Sequence, residues 1–547
     1  MSKRSPPGLA LRFLAWFCPD HLYEEIEGDL LQRFERDLGQ FDLKKARRRF
    51  VWNTIRFFRP AIVLRNKRSR FNPSNYMISN YFKVASRVML RNKSYSAINI
   101  SGLTLGITGA LLLFLWIERE FTYDQFHQDK ERIYNAWNRE IHQSDIQCWN
   151  TTPRILAPTI KAEYASVEDA VSYGIYGTSH LFTVGETKIV KETGAFTDPG
   201  FLKIFSFPLL KGDPSTALGN PNSIVLTETF AKQLFGDKEA FGETVTISES
   251  GYTFPFTVTG VLKDLPPNSD FHFDYLITFQ FYEGLGEKDA FWGNNSVTTY
   301  VKLEKGVDIN EFNASVKDIA KKHTKADNPL EIFLYPLTEM HLYSKFENGV
   351  QSGGRIEIVR MLGVLGVCLI VIACINFVNL STARAQKRSR EVGIRKVTGA
   401  LRRSLIVQFL CESVLVAVAA GILSLGITYL VLPWFSTLVQ QPLTLDFGKV
   451  SYWLIVCGLI VFTGIIAGIY PAFYLSSFHP VQILKGGLVA VGGRGRLRQA
   501  LVVFQFGFAV TLIVSVIVVS KQIRFVQERE VGYVKDNLIY FPLTGDL

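Results

Sequence analysis

Long apolar stretches that are almost without charged residues set the organisation of this 547-residue chain. Five of them run for about 18 to 28 residues, which lets a helix cross a hydrocarbon layer about 30 Å thick. They are Ile100 to Ile117, Val359 to Leu380, Leu405 to Leu432, Trp453 to Leu475 and Ala500 to Ser520, named here spans 1 to 5. This pattern is typical of an α-helical multi-span membrane protein, and it excludes a soluble enzyme, a disordered chain and a disulfide scaffold.

Basic residues near the span ends predict the orientation. The loop between spans 2 and 3 has eight Lys and Arg against one acid, Glu391. The loop between spans 4 and 5 and the stretch before span 1 are also basic. Because cytoplasmic loops are enriched in Lys and Arg, we expect these segments and the N-terminus to be cytoplasmic. Residues 118–358 then lie outside the membrane on the other side.

The composition refines this picture. Of the six cysteines only Cys148 falls in the predicted outer region, so we expect no intramolecular disulfide there. The start of the chain imitates a signal peptide that ends at Cys18, but Arg12 interrupts the apolar run. Bulky Trp16 and Phe17 also stand where cleavage requires small side chains. We therefore predict a small helical cytoplasmic domain over residues 1–75.

That domain contains a helical pattern and then a basic run. Apolar residues recur at helical spacing from His21 to Leu38, and the run Lys44 to Arg49 follows. A basic run can bind nucleic acid, but no recognition motif accompanies this one. We favour contact with anionic membrane lipid or a simple solvated helix, and no nucleic-acid partner. The pattern of residues 80–93 predicts an amphipathic helix at the membrane interface. This helix leads into span 1, and the two together make up the segment 76–117.

The large region between spans 1 and 2 alternates predicted strands and helices. Ser223 to Leu226 predicts a strand, and Thr227 caps a helix that ends at Gly236. Phe256 to Leu262 and Thr298 to Leu303 alternate as further strands. Residues 118–358 should therefore form an extracytoplasmic α+β domain with its own core.

The residues after span 5 predict a polar helix and then a strand from Asn537 to Phe541. The same order occurs around span 1. We therefore expect residues 521–547 to begin a second outer domain and the chain to lack its C-terminal half. A short disordered tail is the alternative interpretation.

Glu412, Asn376 and Asn379 are polar residues within the spans that call for an explanation. Glu412 lies about two turns inside span 3, where a carboxylate reaches the interface or a neighbouring Arg, and we favour this over a buried ion site. Asn376 and Asn379 share one face of span 2 and are candidates for hydrogen bonds between spans. A structural role is the simpler interpretation of both.

The sequence lacks the common motifs for nucleotide phosphate binding and for metal binding. It has no G-x-x-x-x-G-K-[ST] phosphate loop, no H-E-x-x-H and no paired-cysteine metal motif. We expect no ATP hydrolysis by this chain alone, no catalytic residue and no bound metal or cofactor. His341, His272, Asp270 and Asp274 look isolated, with ordinary hydrogen-bonding roles.

The most informative segment is ACINFVNLSTARAQKRSREVGIRKVTGALRRSLIVQFLCES, residues 373–413. It predicts a span that continues into a charged helix, in which Glu391 stands four residues before Arg395 and Gly399 ends the helix. This segment resembles MacB/FtsX-like ABC transporter permeases, whose usual core here is R-E-x-G-[IL]-R-K. Five further stretches resemble the same family in the same order: NKSYSAINISGLTLGI, SIVLTETFAKQLFG, VTGVLKDLPPNSDFHFDY, LTEMHLYS and GIYPAFYLSSFHPVQILKG. Pro7 to Pro60 resembles the prefix domain of some members from Bacteroidetes.

The resemblance implies a noncatalytic permease subunit in a bacterial inner membrane, with FtsX-like spans 2 to 5 over residues 359–520. It implies a dimer or paired permease, a separate ABC ATPase that carries ATP and Mg, and a periplasmic adaptor as a further partner. Motion of the ATPase would pass through the loop and spans to the outer domain and drive export. The residues expected to dock the ATPase are Arg390, Glu391, Gly393, Arg395, Lys396 and Gly399, with Pro480 and Gln482 in a second contact. For the basic residues among them, the alternative is that they only anchor the loop on the cytoplasmic side of the membrane.

Two other functions stay open at this point. One is an FtsX-like transmembrane regulator or sensor that controls an outer partner, and the other is a membrane-anchored outer enzyme. No nucleophile, base or metal pattern supports the enzyme. The transported substrate is not indicated, because the same scaffold suits many substrates.

Overall fold

The computed structural model describes residues 6–18, 20–58, 73–142, 145–175, 179–249, 251–324, 330–477 and 494–529. The chain divides into two compact units. The first comprises Met1–Thr104, Ala373–Leu423 and Ser451–Phe504, and the second comprises Leu105–Ile372, Ser424–Val450 and Gln505–Leu547. The first unit contains the N-terminal domain and the loop between spans 2 and 3, and the second contains the outer domain.

The helices and strands are numbered in chain order. The helices are α1 Gly8–Phe17, α2 Asp20–Gln40, α3 Leu43–Arg56, α4 Pro73–Arg91, α5 Lys93–Phe121, α6 Leu156–Glu163, α7 Phe201–Ile204, α8 Glu228–Phe235, α9 Phe279–Gly284, α10 Ile309–Val316, α11 Ile319–His323, α12 Leu337–Tyr343, α13 Arg355–Ala383, α14 Ala385–Val397, α15 Arg402–Leu438, α16 Val450–Ser476 and α17 Arg494–Glu528. The strands are β1 Ile133–Ile141, β2 Ile146–Trp149, β3 Thr152–Pro153, β4 Val167–Ile175, β5 His180–Val184, β6 Thr187–Lys191, β7 Gly194–Thr197, β8 Leu209–Lys211, β9 Ser223–Thr227, β10 Thr244–Glu249, β11 Tyr252–Leu262, β12 Tyr275–Thr278, β13 Asn295–Leu303, β14 Glu331–Pro336, β15 Lys345–Glu347 and β16 Val350–Gly353. A 3-10 turn covers Lys130–Arg132.

The N-terminal domain is a bundle of α1, α2 and α3, and it contains the predicted helix over residues 21–38. Its core includes Leu14, Leu30, Phe34 and Phe50, and the rings of Phe34 and Phe50 meet edge to face at 5.4 Å. The basic run lies on α3, which buries Ala46, Phe50 and Thr54 and leaves its other face exposed.

The outer domain is built on one large mixed sheet. The strand order is β14-β1-β13-β4-β7-β12-β9-β11-β10-β5-β6, with β2, β3 and β8 paired to β1, β13 and β11. Only β9 with β11 and β7 with β12 pair in parallel among the described strands; the other pairs are antiparallel. Three apolar clusters pack helices and loops against the sheet. The predicted α+β domain between spans 1 and 2 is confirmed.

The predicted turn from strand to helix in this domain is also confirmed. β9 ends at Thr227, whose hydroxyl accepts a hydrogen bond from the Phe230 amide at 3.4 Å and caps α8. α8 ends at Gly236, which adopts a φ of 63°. A positive φ is readily available to glycine, so the local sequence alone places both ends of this helix.

Among the described residues, five helices are long and apolar enough to cross a membrane, as predicted: α5, α13, α15, α16 and α17, which contain spans 1 to 5. The helix that contains span 3 runs past the predicted end of the span at Leu432 and ends at Leu438. Pro433 lies inside α15, and the Thr437 hydroxyl donates to its carbonyl at 3.1 Å. The apolar Trp434 and Leu438 continue the helix past the proline.

Spans 3 and 4 approach closely through small residues. A Cβ on Gly464 would lie 2.8 Å from the Cα of Val414, whereas a Cβ on Gly458 of the same helix would meet nothing within 4 Å. We expect Gly464→Val to destabilise the folded chain by about 1–3 kcal/mol, because the backbones of the two spans must separate. Thermal unfolding in detergent measures this, with Gly458→Val as the matched control. Equal losses in the two variants would contradict the close contact.

Candidate functional site

The helix that joins spans 2 and 3 is nearly continuous with span 2. α13 ends at Ala383, and α14 begins two residues later and runs to Val397. It ends where Gly399 adopts a φ of 96°. The amides of Gly399 and Ala400 donate to the carbonyls of Lys396 and Arg395, so the last carbonyls of α14 are satisfied. Gly399 therefore ends the helix as predicted, and we name α14 the coupling helix.

One face of the coupling helix is buried against spans 3 and 4. Val392 is 1% exposed and belongs to a cluster with Leu405 and Phe409 of span 3 and Ala472 and Leu475 of span 4. Gly393 is buried beside it. Because this face is apolar and packed, the helix cannot shift without moving the two spans or losing the contact.

An ion pair also fixes the coupling helix to span 3. Arg388 donates from Nη1 to Glu412 Oε2 at 2.8 Å and from Nη2 to the other carboxylate oxygen. Both side chains are mostly buried. Burial alone lowers the pKa of Arg388, but the Glu412 carboxylate outweighs it, and the pKa is raised. Of the interpretations offered for Glu412, the structure shows the neighbouring arginine.

Of the predicted docking residues, Arg395 and Lys396 contact spans 3 and 4, whereas Glu391 is half exposed. Arg395 donates to Glu391 at 2.6 Å and to Gln408 Oε1 at 2.9 Å, and Lys396 donates to the Ser476 carbonyl at 2.7 Å. These two basic side chains therefore hold the coupling helix on spans 3 and 4. Glu391 is half exposed. Arg390 lies on the same helix, and Pro480 and Gln482 lie outside the described residues.

The side of the coupling helix that faces away from spans 3 and 4 carries exposed apolar residues that were not among the predicted docking residues. Ile394 is 59% exposed, Val397 is 64% exposed, and Leu401 just beyond the helix is 74% exposed. Ile394 and Val397 are three residues apart and share a face with Glu391. The sequence shows apolar residues at Val392, Ile394 and Val397, but it does not show that the first is buried and the other two are exposed. We name Glu391, Ile394, Val397 and Leu401 the docking face.

The two asparagines of span 2 occupy different surroundings. The Nδ2 of Asn376 lies 2.8 Å from where a Cβ on Gly102 of span 1 would be. The Oδ1 of Asn379 is buried and has no hydrogen-bond partner among the described residues. Among the described residues, hydrogen bonds between the span helices come from hydroxyl groups and from the Cys374 thiol, which donates to the Thr463 carbonyl. Tyr95 pairs with Ser381 at 2.6 Å, and Thr104 donates to the Ala420 carbonyl at 3.3 Å.

The residues predicted to be isolated in the outer domain are not isolated. His341 lies within hydrogen-bond distance of both Asp270 and Glu120, and Asp274 accepts from Lys191 at 3.0 Å. The contacts of His341 join positions 71 and 221 residues apart, which no local pattern reveals. Within the described residues, no group of three or more His, Cys, Asp and Glu side chains could hold a metal ion.

The five span helices, the outer domain between spans 1 and 2 and the coupling helix define the class of a membrane permease. Residues 96–319 match the family model of the MacB-like periplasmic core domain, and residues 363–480 match that of the FtsX-like permease C-terminal. The chain is a MacB/FtsX-like ABC transporter permease, a multi-pass protein of the inner membrane.

The relatives described next are about a quarter identical to the chain over the aligned residues. The macrolide export ATP-binding/permease protein MacB of Bdellovibrio bacteriovorus is 25% identical over 273 residues, 48% of this chain and 38% of the relative. The ABC transporter permease YknZ of Bacillus subtilis is 25% identical over 333 residues, 60% of this chain and 73% of the relative. The solved periplasmic region of MacB from Actinobacillus actinomycetemcomitans has a TM-score of 0.27 and 14% identity, and covers 38% of this chain and 88% of its own.

Proposed function

We propose that this chain is the noncatalytic membrane subunit of an ABC exporter, and that it receives motion from a separate ATPase through the coupling helix. The observation that carries the proposal is the two-sided coupling helix. Val392 and the Arg388–Glu412 pair fix one side to spans 3 and 4, while the other side exposes Ile394 and Val397. Exposed apolar side chains on an otherwise anchored helix suit a surface that a protein partner covers.

The geometry supports a mechanical route. A partner that displaces the docking face moves α14 together with spans 3 and 4, because Arg395 and Lys396 form hydrogen bonds with them. ATP and Mg belong to the ATPase in this proposal, and the sequence of this chain contains no phosphate-binding loop. Span 2 runs directly from the outer domain into the coupling helix, so displacement has a short covalent path to residues 118–354.

Export is supported by the names of relatives, among them the macrolide and pyoverdine export proteins. The first of these is named as an ATP-binding/permease protein, and this chain spans 38% of its length. The same relatives support an ATPase partner.

The other proposed partners are a second permease copy, a periplasmic adaptor and membrane lipid. The lipid contact rests on α3, whose exposed face combines Lys44, Lys45 and Arg48 with Trp52 and Ile55. Basic and aromatic side chains together favour an anionic interface. The proposed lipid contact also requires the N-terminus to lie in the cytoplasm. Binding of the intact protein to vesicles with and without anionic lipid tests this contact, and cross-linking in native membranes tests the dimer and the adaptor.

Purification from the native membrane in mild detergent tests the proposed function. We expect an ATPase to co-elute and its hydrolysis to rise in the presence of this chain. Glu391→Lys should remove most of that stimulation, because a new positive charge enters the docking face and the bond to Arg395 is lost. The amount of chain in the membrane should not change. Equal loss of insertion and stimulation would sink the docking role, and a stable chain without any ATPase would favour the regulator.

A further inference from the structure

The end of span 1 carries a carboxylate that is fully enclosed by donors. The side chain of Glu120 is 0% exposed. It accepts from His341 Nε2 at 2.8 Å, from Arg355 Nη2 at 3.0 Å and Nε, and from Gln441 Nε2 at 3.0 Å. These donors come from α12 of the outer domain, the first residue of α13 and the segment between α15 and α16. One carboxylate thus joins span 1 to three other parts of this unit.

The histidine of this cluster bridges two acids. His341 Nδ1 lies 2.9 Å from Asp270 Oδ1, and its Nε2 faces Glu120. Ionised carboxylates only accept hydrogen bonds, so a histidine between two of them donates from both nitrogens and is an imidazolium. Its ring also stacks on Tyr123 with a centroid distance of 3.5 Å and an angle of 7°. The aromatic face favours the charged ring.

The loop that presents Asp270 is held by the residues that follow span 1. Asn268 Nδ2 donates to the Thr122 carbonyl at 2.7 Å, and Ser269 Oγ donates to Asp124 Oδ1 at 3.0 Å. The Asp270 amide also donates to Asp124, at 3.3 Å. The stretches LPPNSDFHFD and LTEMHLYS, which lie far apart in the sequence, therefore meet at the end of span 1.

We propose that the Glu120–His341–Asp270 bridge is the joint through which displacement of spans 1 and 2 reaches the outer domain, and that the joint holds only while His341 is protonated. His341 is a positioning residue in this scheme, since it touches no substrate. The proposal rests on the proposed function, because it needs an ATPase to move the spans. It adds a defined point of transmission and a dependence on the pH of the outer compartment.

The charged and titratable groups around His341 set the direction of that dependence. They are Arg119 and Glu120 of α5, Tyr123 and Asp124 after it, Asp270 of the loop and Arg355 of α13. Burial lowers the pKa of His341, but the bonds to Asp270 and Glu120 outweigh it, and the pKa is raised above 6.5. A raised pKa means that the bridge is complete below about pH 6.5 and is lost as the pH rises through the raised value. Burial and the neighbouring Asp270 also raise the pKa of Asp124 to about 7, and its ionisation near neutral pH adds negative charge beside Asp270.

The test uses the whole chain with its co-purified ATPase in lipid nanodiscs. Donor and acceptor dyes on Tyr252→Cys and Leu438→Cys, in a background without the native cysteines, report movement of the outer domain relative to the end of span 3. Both positions are well exposed. The readout is the change in energy transfer when ATP and vanadate are added, at about pH 6, below the ordinary histidine pKa, and at about pH 8.5, well above it.

We expect wild type to respond at the lower pH and to lose about half or more of the response at the higher pH, since His341 loses its proton as the pH rises through its raised pKa. His341→Gln should respond weakly at both. His341→Arg should respond at both, because a guanidinium is always charged, can bind two carboxylates and stacks on tyrosine. His142→Gln, at an exposed histidine of the same domain, should match wild type. Thermal unfolding establishes that each variant is folded.

A full response in folded His341→Gln would overturn the joint, and so would a wild-type response that does not change with pH. These outcomes leave the ATPase-driven motion itself standing. Absence of any response in wild type, with the ATPase bound, would instead contradict the proposed function and the joint together. A response that falls at high pH equally in wild type and His341→Arg would assign the titration to another group and overturn the role of His341.

Discussion

Aspartate at both Ile394 and Val397 is expected to abolish stimulation of the partner ATPase while the permease stays folded in the membrane. Both side chains are more than half exposed, so the substitutions remove little packing within the chain. Burying a branched aliphatic side chain at an interface is worth about 1.5–3 kcal/mol, and a carboxylate in its place must be desolvated. Losing two such contacts lowers affinity about a hundredfold or more. ATP hydrolysis measured as a function of added permease gives this value.

Leu9 offers a matched control for that experiment. It is 81% exposed on α1 of the N-terminal domain and lies outside the docking face. Leu9→Asp should therefore leave ATPase stimulation unchanged. If it reduces stimulation as much as the double variant does, the effect comes from added charge on the whole permease, and the docking face is contradicted.

Removal of Arg388 should produce the largest loss of stability. Arg388→Met leaves the mostly buried carboxylate of Glu412 without its partner. Breaking a buried ion pair from one side costs about 3–5 kcal/mol, because an uncompensated charge remains. We expect a lower unfolding midpoint in detergent and a coupling helix that is cleaved more readily by protease.

The double variant Arg388→Met with Glu412→Leu separates the ion pair from simple packing. It removes both charges and should recover most of the lost stability, since a hydrophobic replacement for a buried pair is often neutral. Arg33→Met, which breaks an exposed pair with Asp29, should change stability by less than about 1 kcal/mol. The pair is contradicted as an anchor if the double variant is no more stable than the single one.

The span helices and the main elements of the outer domain were predictable because their signals are local. A span needs only a long apolar run, and α8 needs only Thr227 at one end and Gly236 at the other. The end of the coupling helix at Gly399 is of the same kind. The end of α15 was less predictable, because the helix continues from Leu432 through Pro433 to Leu438.

The candidate site was only partly predictable, because its roles depend on which face of a helix is covered. The sequence places Arg395 and Lys396 on a charged helix, but their hydrogen bonds to Gln408 and Ser476 depend on how spans 3 and 4 pack. The apolar docking face was hidden among eight basic residues of the same loop. The cluster at Glu120 was out of reach for a stronger reason, since its partners come from segments up to 321 residues away.

Asn379 shows the same limit from the other side. Its position on span 2 predicts a hydrogen bond to a neighbouring span, yet its Oδ1 is buried without a partner among the described residues. The spacing of polar residues on a span identifies a face, but the partner depends on what the neighbouring helix presents there.

Photo-cross-linking from position 397 tests the central claim most directly. A benzophenone amino acid replaces Val397 in the full chain, and the native membranes are irradiated before any detergent is added. The account predicts a covalent adduct with an ABC ATPase, whose yield changes when ATP and vanadate are supplied. The same probe at Leu9 should give no such adduct. Adducts with lipid alone, or with proteins other than an ATPase, would contradict the assignment of this surface as the docking face.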